Sequence, residues 1–106
     1  MGGRFMRILL FFDLPTETAN DRRAYRQFRK MLLKEGFLMM QESVYSKLIL
    51  NQQSANLVIA KLRKAKPAKG LVQLLTITEK QYSSIIDLVG IVNHIEVNSL
   101  DKVIVL

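Results

Sequence analysis

Asp13 closes the unbroken apolar run Ile8-Leu9-Leu10-Phe11-Phe12, and Pro15 follows two residues later. Such a run suits a central strand buried on both faces, so its terminal carboxylate lies at the rim of a sheet. Three roles are open to it there: turn residue, helix cap or metal ligand. Asp-Leu-Pro-Thr has strong turn character. As a ligand, Asp13 meets a counting problem, because Mg²⁺ takes about six oxygens and one carboxylate supplies one or two of them. A lone Asp becomes a metal site only where a two-fold axis sets a second Asp13 beside it, with waters and a substrate phosphate completing the shell.

The other residues able to do chemistry are cations. Arg23, Arg26, Lys30 and Lys34 recur at spacings that put them on one helix face, with Arg22 adjoining. A second cluster, Lys61, Arg63, Lys64, Lys66 and Lys69, follows later. Across the chain of 106 residues, 16 Lys and Arg outweigh 9 Asp and Glu, giving a net charge of +7 and a pI near 10.0. That balance favours a polyanionic partner, nucleic acid before an anionic membrane surface. No base-reading helix or aromatic RNA-recognition motif accompanies it, so backbone contact without sequence readout is expected.

Other chemistries are excluded or unsupported. The chain has no nucleophile elbow, no phosphate-binding glycine loop and no Glu-x-x-His pairing. His94 stands alone, and Glu79, Asp87, Glu96 and Asp101 are scattered, so each of these acids reads as solvated. With no cysteine there are no disulfides or thiolate metal sites. No apolar run reaches the roughly 20 residues of a membrane span, and the N-terminus lacks a signal-peptide core. A soluble cytoplasmic protein with no membrane partner is expected.

The elements that position these groups follow in order. Thr18 and Asp21 have capping-box spacing, opening a helix that runs to about Glu35 and stops at Gly36, with Tyr25, Phe28, Met31 and Leu32 on its apolar face. Two strand segments, residues 37–40 and 44–50, flank a bulge or tight turn at Gln41 to Ser43. Asn51 caps a second helix, through about Ala65, that Pro67 terminates; Gly70 then introduces a strand over residues 71–78. This is α+β in the order β-α-β-β-α-β, the ferredoxin-like arrangement. Residues 1–78 form the core. Residues 79–106 are an extension with a short helix over 79–88 and a final strand, Lys102-Val103-Ile104-Val105-Leu106, that must add to an edge of this copy or of another.

Phe11-Phe12-Asp13-Leu14-Pro15-Thr16, an arginine-rich first helix containing Arg22, Gln41-x-Ser43-Val44-Tyr45, and Leu74-Leu75-Thr76-Ile77-Thr78-Glu79-Lys80-Gln81 occur in that order. Together they resemble the second universal CRISPR adaptation protein, the small partner of the CRISPR integrase, in its type II form. The resemblance spans essentially the whole chain. It implies a ferredoxin-like homodimer whose C-terminal strand crosses to the other subunit. It also implies that Asp13 from both subunits is a catalytic ligand of Mg²⁺, or of another divalent cation such as Mn²⁺, in phosphodiester hydrolysis. Phe12, Pro15, Ser43 and Tyr45 are its motif residues; where many members carry Tyr before the Asp, this chain has Phe12.

Two functions of different class follow. In the first, the dimer is a basic platform in CRISPR spacer acquisition, an antiviral defence. It binds protospacer duplex DNA through Arg22, Arg23, Arg26, Lys30, Lys64, Lys66 and Lys69 and bridges integrase subunits. In the second, it is primarily a metal-dependent endonuclease acting on RNA or DNA.

Overall fold

The computed structural model describes residues 5–90. The expectations placed on His94, Glu96, Asp101 and the final strand at residues 102–106 lie outside the described residues.

The elements are β1 (Met6–Asp13), α1 (Ala19–Lys34), β2 (Leu38–Gln41), β3 (Val44–Ile49), α2 (Gln52–Ala65), β4 (Leu71–Thr78) and α3 (Glu79–Ser83). The strands form one antiparallel sheet in the order β2-β3-β1-β4, the ferredoxin-like order. The apolar run ending at Asp13 is therefore an interior strand, hydrogen-bonded on both sides.

Local chemistry sets the boundaries. Thr18 caps α1: the Asp21 N–H donates to its Oγ1 at 3.0 Å, and the Thr18 N–H donates to Asp21 Oδ2 at 3.2 Å. At the other end Phe37 N–H donates to Leu32 O and Gly36 N–H to Leu33 O, with Gly36 at φ +93°. This is a Schellman closure, and the buried Phe37 supplies its apolar contact. Asn51 caps α2 by accepting from Ser54 N–H at 2.8 Å. The β2–β3 connection is the expected tight turn, at Glu42 and Ser43, and a register shift between Met39 and Gln41 precedes it.

One expectation is corrected. The helix read over residues 79–88 ends at Ser83. Ser83 Oγ donates to Lys80 O and Ser84 Oγ to Gln81 O, so serine hydroxyls compete for the carbonyls that a longer helix would use.

The two sheet faces differ. Ile8, Leu10 and Phe12 point to one side and pack with Phe28 and Leu32 of α1, Ala55 and Leu62 of α2, and Tyr45 and Ile49 of β3. Phe12 is the hub of an aromatic group. Its ring lies edge-on to Tyr25 and Phe28, at 5.6 and 5.4 Å between centroids, and 5.8 Å from Tyr45. The alternation of β1 sends Arg7, Leu9, Phe11 and Asp13 to the other face. The pairing register sets them beside Leu48, Ser46 and Val44 on β3 and Ile77, Leu75, Gln73 and Leu71 on β4. Leu38, Leu48, Leu71 and Leu75 are each at least half exposed there.

Candidate metal site and cationic surface

Asp13 is the last residue of β1, paired with Leu71, and its side chain is exposed on the open sheet face. Its backbone is held closely. The Phe12 N–H donates to Ser43 O at 3.1 Å, tying the strand end to the Gln-x-Ser turn. On the other side Gly70 passes so near that a Cβ on it would lie 2.7 Å from Asp13 O and 2.6 Å from Leu14 Cδ2. Gly70 also has φ +91°, which only glycine adopts at low cost. Leu14 is buried and Pro15 half-buried where the chain leaves the sheet. The carboxylate thus stands on a rigid strand end, fixed by its two neighbours.

Phe12 faces the opposite way. Consecutive strand residues point to opposite faces, and the Phe12 ring sits in the aromatic core while Asp13 is on the open face. A tyrosine hydroxyl at this position would extend toward the core, away from the Asp13 carboxylate. The residue therefore serves packing.

The described residues of one chain do not complete a metal shell. Among the described residues no group of three or more His, Asp or Glu could hold an ion. Beyond the described residues, Asp13 needs further oxygens, such as those of a second copy, water or substrate, to ligate a divalent cation.

The cations fall into distinct settings. Among the described residues Arg22, Arg23, Arg26, Arg29, Lys30 and Lys34 of α1 form no ion pair, whereas Lys61 pairs with Glu35 and Lys69 with Asp21. Arg22 Nη1 donates to the carbonyls of Thr16 and Glu17, fastening the loop that follows Pro15. Arg23, Arg26 and Lys30 are exposed along α1, and Lys64 and Lys66 are exposed at the end of α2. Lys69 Nζ lies 3.5 Å from Asp21 Oδ1, which brings the loop after α2 against the start of α1. A cleft of about 260 Å³ opens there, between Leu14, Pro15, Tyr25 and the Pro67–Lys69 loop. Asp21 itself is nearly buried. The Thr18 backbone N–H holds its carboxyl below the usual carboxylate value, with smaller help from the Thr18 hydroxyl and Lys69.

Three residues escape a reading of the sequence. Gly70 registers only as a strand opener, yet it is the close neighbour of Asp13. Glu79, read as solvated, forms a two-pronged pair with Arg7 at 2.8 and 3.1 Å, while the Arg7 guanidinium lies 4.1 Å from the Tyr82 ring centroid. Arg29 donates its Nε–H to the hydroxyl of the buried Tyr45 at 3.0 Å. Its seven-residue spacing from Arg22 was the available signal.

Comparison with known proteins agrees with this arrangement. The family model described as CRISPR associated protein Cas2 matches residues 6–85, from the first residue of β1 to just past α3. A protein of Streptococcus mutans named CRISPR-associated endoribonuclease Cas2 is 55% identical over 85 residues, covering 80% of this chain and 78% of its own. Proteins of the same name from Treponema denticola and Ligilactobacillus salivarius are 44% and 43% identical over 101 residues, each covering 95% of this chain and 100% of their own. The matched span contains the Asp13 strand, the Gln-x-Ser-Val-Tyr hairpin and the β4–α3 junction, and on these grounds the chain belongs to the CRISPR-associated Cas2 family.

Proposed function

We propose that this protein acts in CRISPR spacer acquisition as a homodimeric basic platform. It binds protospacer duplex DNA through its phosphate backbone and docks the CRISPR integrase subunit. The observation that carries the reading is the row of α1 cations, none of which pairs with an acid among the described residues. A surface helix evolved only for solubility gains from interspersed acids; α1 has no acid after Asp21. Lys64 in the last turn of α2 and Lys66 just after it add exposed cations, with Lys69 beside Asp21 at the start of α1.

The open sheet face supports a dimer. Leu38, Leu48, Leu71 and Leu75 expose apolar surface on the face that carries Asp13. An isologous contact through that face puts like against like about a two-fold axis. An axis near the end of β1 pairs Asp13 with the partner's Asp13, which answers the counting problem of one carboxylate per chain. In that arrangement both carboxylates, with bound water, would hold Mg²⁺ or Mn²⁺. A divalent cation so held supplies Lewis-acid polarisation of a phosphoryl oxygen and a lowered water pKa. Carboxylates more than about 8 Å apart rule out a shared ion without movement, given metal–oxygen bonds of roughly 2.1 Å.

A second reading, a metal-dependent endonuclease acting on RNA or DNA, is favoured by the name endoribonuclease carried by the relatives. It uses the same Asp13 site and takes nucleic acid on the same cations.

Duplex binding measured against salt tests the platform. Binding is expected to weaken linearly in log salt, with a slope near 0.9 for each phosphate neutralised. Reversing charge at Arg23, Arg26 and Lys30 together is expected to lower that slope by about 2 to 3. An unchanged slope places the DNA elsewhere.

A further inference from the structure

α1 carries two rows of cations. Arg23, Lys30 and Lys34 point away from the sheet, opposite Phe28 and Leu32. Arg22, Arg26 and Arg29, at i, i+4 and i+7, form a second row on the flank of the helix. With a rise of 1.5 Å per residue this row is about 10 Å long, roughly three nucleotide steps along one strand at 3.4 Å each.

The two ends of the flank row are tethered. Arg22 is held by two loop carbonyls. Arg29 is held by the phenol oxygen of Tyr45, a side chain with no exposed surface, packed against Phe12. Arg29 itself is exposed. Its Nε–H is taken by Tyr45, and its Nη1 and Nη2 groups form no hydrogen bond among the described residues. The guanidinium therefore keeps its two-nitrogen end free of hydrogen-bond partners among the described residues, on an anchored and exposed side chain. That edge matches two oxygens of a phosphate. Anchoring in the free protein reduces the side-chain freedom that binding must otherwise remove.

We propose that Arg29 contacts a backbone phosphate of the bound nucleic acid, and that Tyr45 is the residue that positions it. This rests on the nucleic-acid reading of the α1 cations and adds to it a specific contact and its support. Tyr45 does not touch the ligand. It acts through Arg29, and the hairpin that carries it thereby connects the strand-end motif to the cationic flank.

The test is binding of a fluorescently labelled DNA duplex of mixed sequence across a salt series, with Arg29→Gln, Arg29→Lys, Tyr45→Phe and the double variant Tyr45→Phe/Arg29→Gln. Arg29→Gln is expected to weaken binding several-fold and lower the salt slope by about 0.9, the loss of one phosphate contact. Tyr45→Phe and Arg29→Lys each keep the charge but lose the anchored fork, so both are expected to weaken binding several-fold with the slope retained. The double variant is expected to bind as Arg29→Gln does, because Tyr45 has nothing left to position. Parental affinity and slope in Arg29→Gln overturn the proposal. So do parental affinity in Arg29→Lys and further weakening of Arg29→Gln by Tyr45→Phe. The two Arg29 single variants alter an exposed side chain and do not depend on the Tyr45 substitution folding. Absence of salt-dependent binding by the parent protein overturns the nucleic-acid reading as well, whereas parental behaviour of Arg29→Gln in a protein that binds overturns only this one.

Discussion

Gly70 leaves room for Asp13: a Cβ on Gly70 would stand 2.7 Å from the Asp13 carbonyl oxygen. The two are far apart in sequence, and β1–β4 pairing brings them together, since Asp13 pairs with Leu71. Gly70→Ala meets both a backbone clash and an unfavourable φ of +91°. Gly90 shares a positive φ, +83°, but a Cβ there would meet nothing within 4 Å among the described residues, so it serves to compare the conformational part. Gly70→Ala is expected to cost at least about 2 kcal/mol, against about 1 kcal/mol for Gly90→Ala. Urea denaturation of the two variants checks the difference, and equal costs would show that the contact with Asp13 yields freely.

Asp13 is exposed and makes no hydrogen bond with its side chain among the described residues, so its carboxylate contributes little to folding. Asp13→Asn is expected to change stability by less than about 0.5 kcal/mol while abolishing metal-dependent cleavage. Duplex binding should persist. Phe12→Tyr is the companion variant. Because its ring lies in the aromatic core on the other sheet face, it is expected to leave cleavage unchanged. A rise in cleavage on adding that hydroxyl would mean the strand end rearranges when substrate binds.

Leu75 is half exposed on the open face, beside Leu9. Leu75→Lys is expected to convert a dimer to monomer in sedimentation, with the thermal midpoint of the monomer little altered. Burying a charge against an apolar partner surface costs far more than leaving it in water. A variant that remains dimeric places the interface on another surface.

Asp21 gives α1 a dependence on pH. Its carboxylate accepts from the Thr18 N–H, which lowers its pKa below the ordinary value of 3.8. A lowered folded pKa means stabilisation that is complete above the ordinary value and lost as pH falls through the folded one. Stability is therefore expected to fall below about pH 4, and Asp21→Asn should remove this part of the fall. Thr18→Ala, which removes the hydroxyl half of the box, is expected to cost about 1 kcal/mol at neutral pH. Urea midpoints between about pH 3 and 7 measure both effects.

What the sequence determined by itself was local. Strand and helix order, the Thr18 and Asn51 caps, the stop at Gly36 and the turn after Met40 all depend on residues a few positions apart, and their spacing is legible in one dimension. Placement of Asp13 at a strand end belongs to the same class. The strand period of two also separates Phe12 from Asp13 once β1 is recognised. The tertiary structure decided which distant residues meet. Gly70 against Asp13, Tyr45 under Arg29, and Arg7 with Glu79 72 positions away each follow from sheet register and helix docking. Register is set by the cooperative packing of both sheet faces, which no local spacing encodes. For that reason Asp13 could be recognised as a candidate from its neighbours in sequence, while the residues that hold it and the cationic flank in place became visible only in three dimensions.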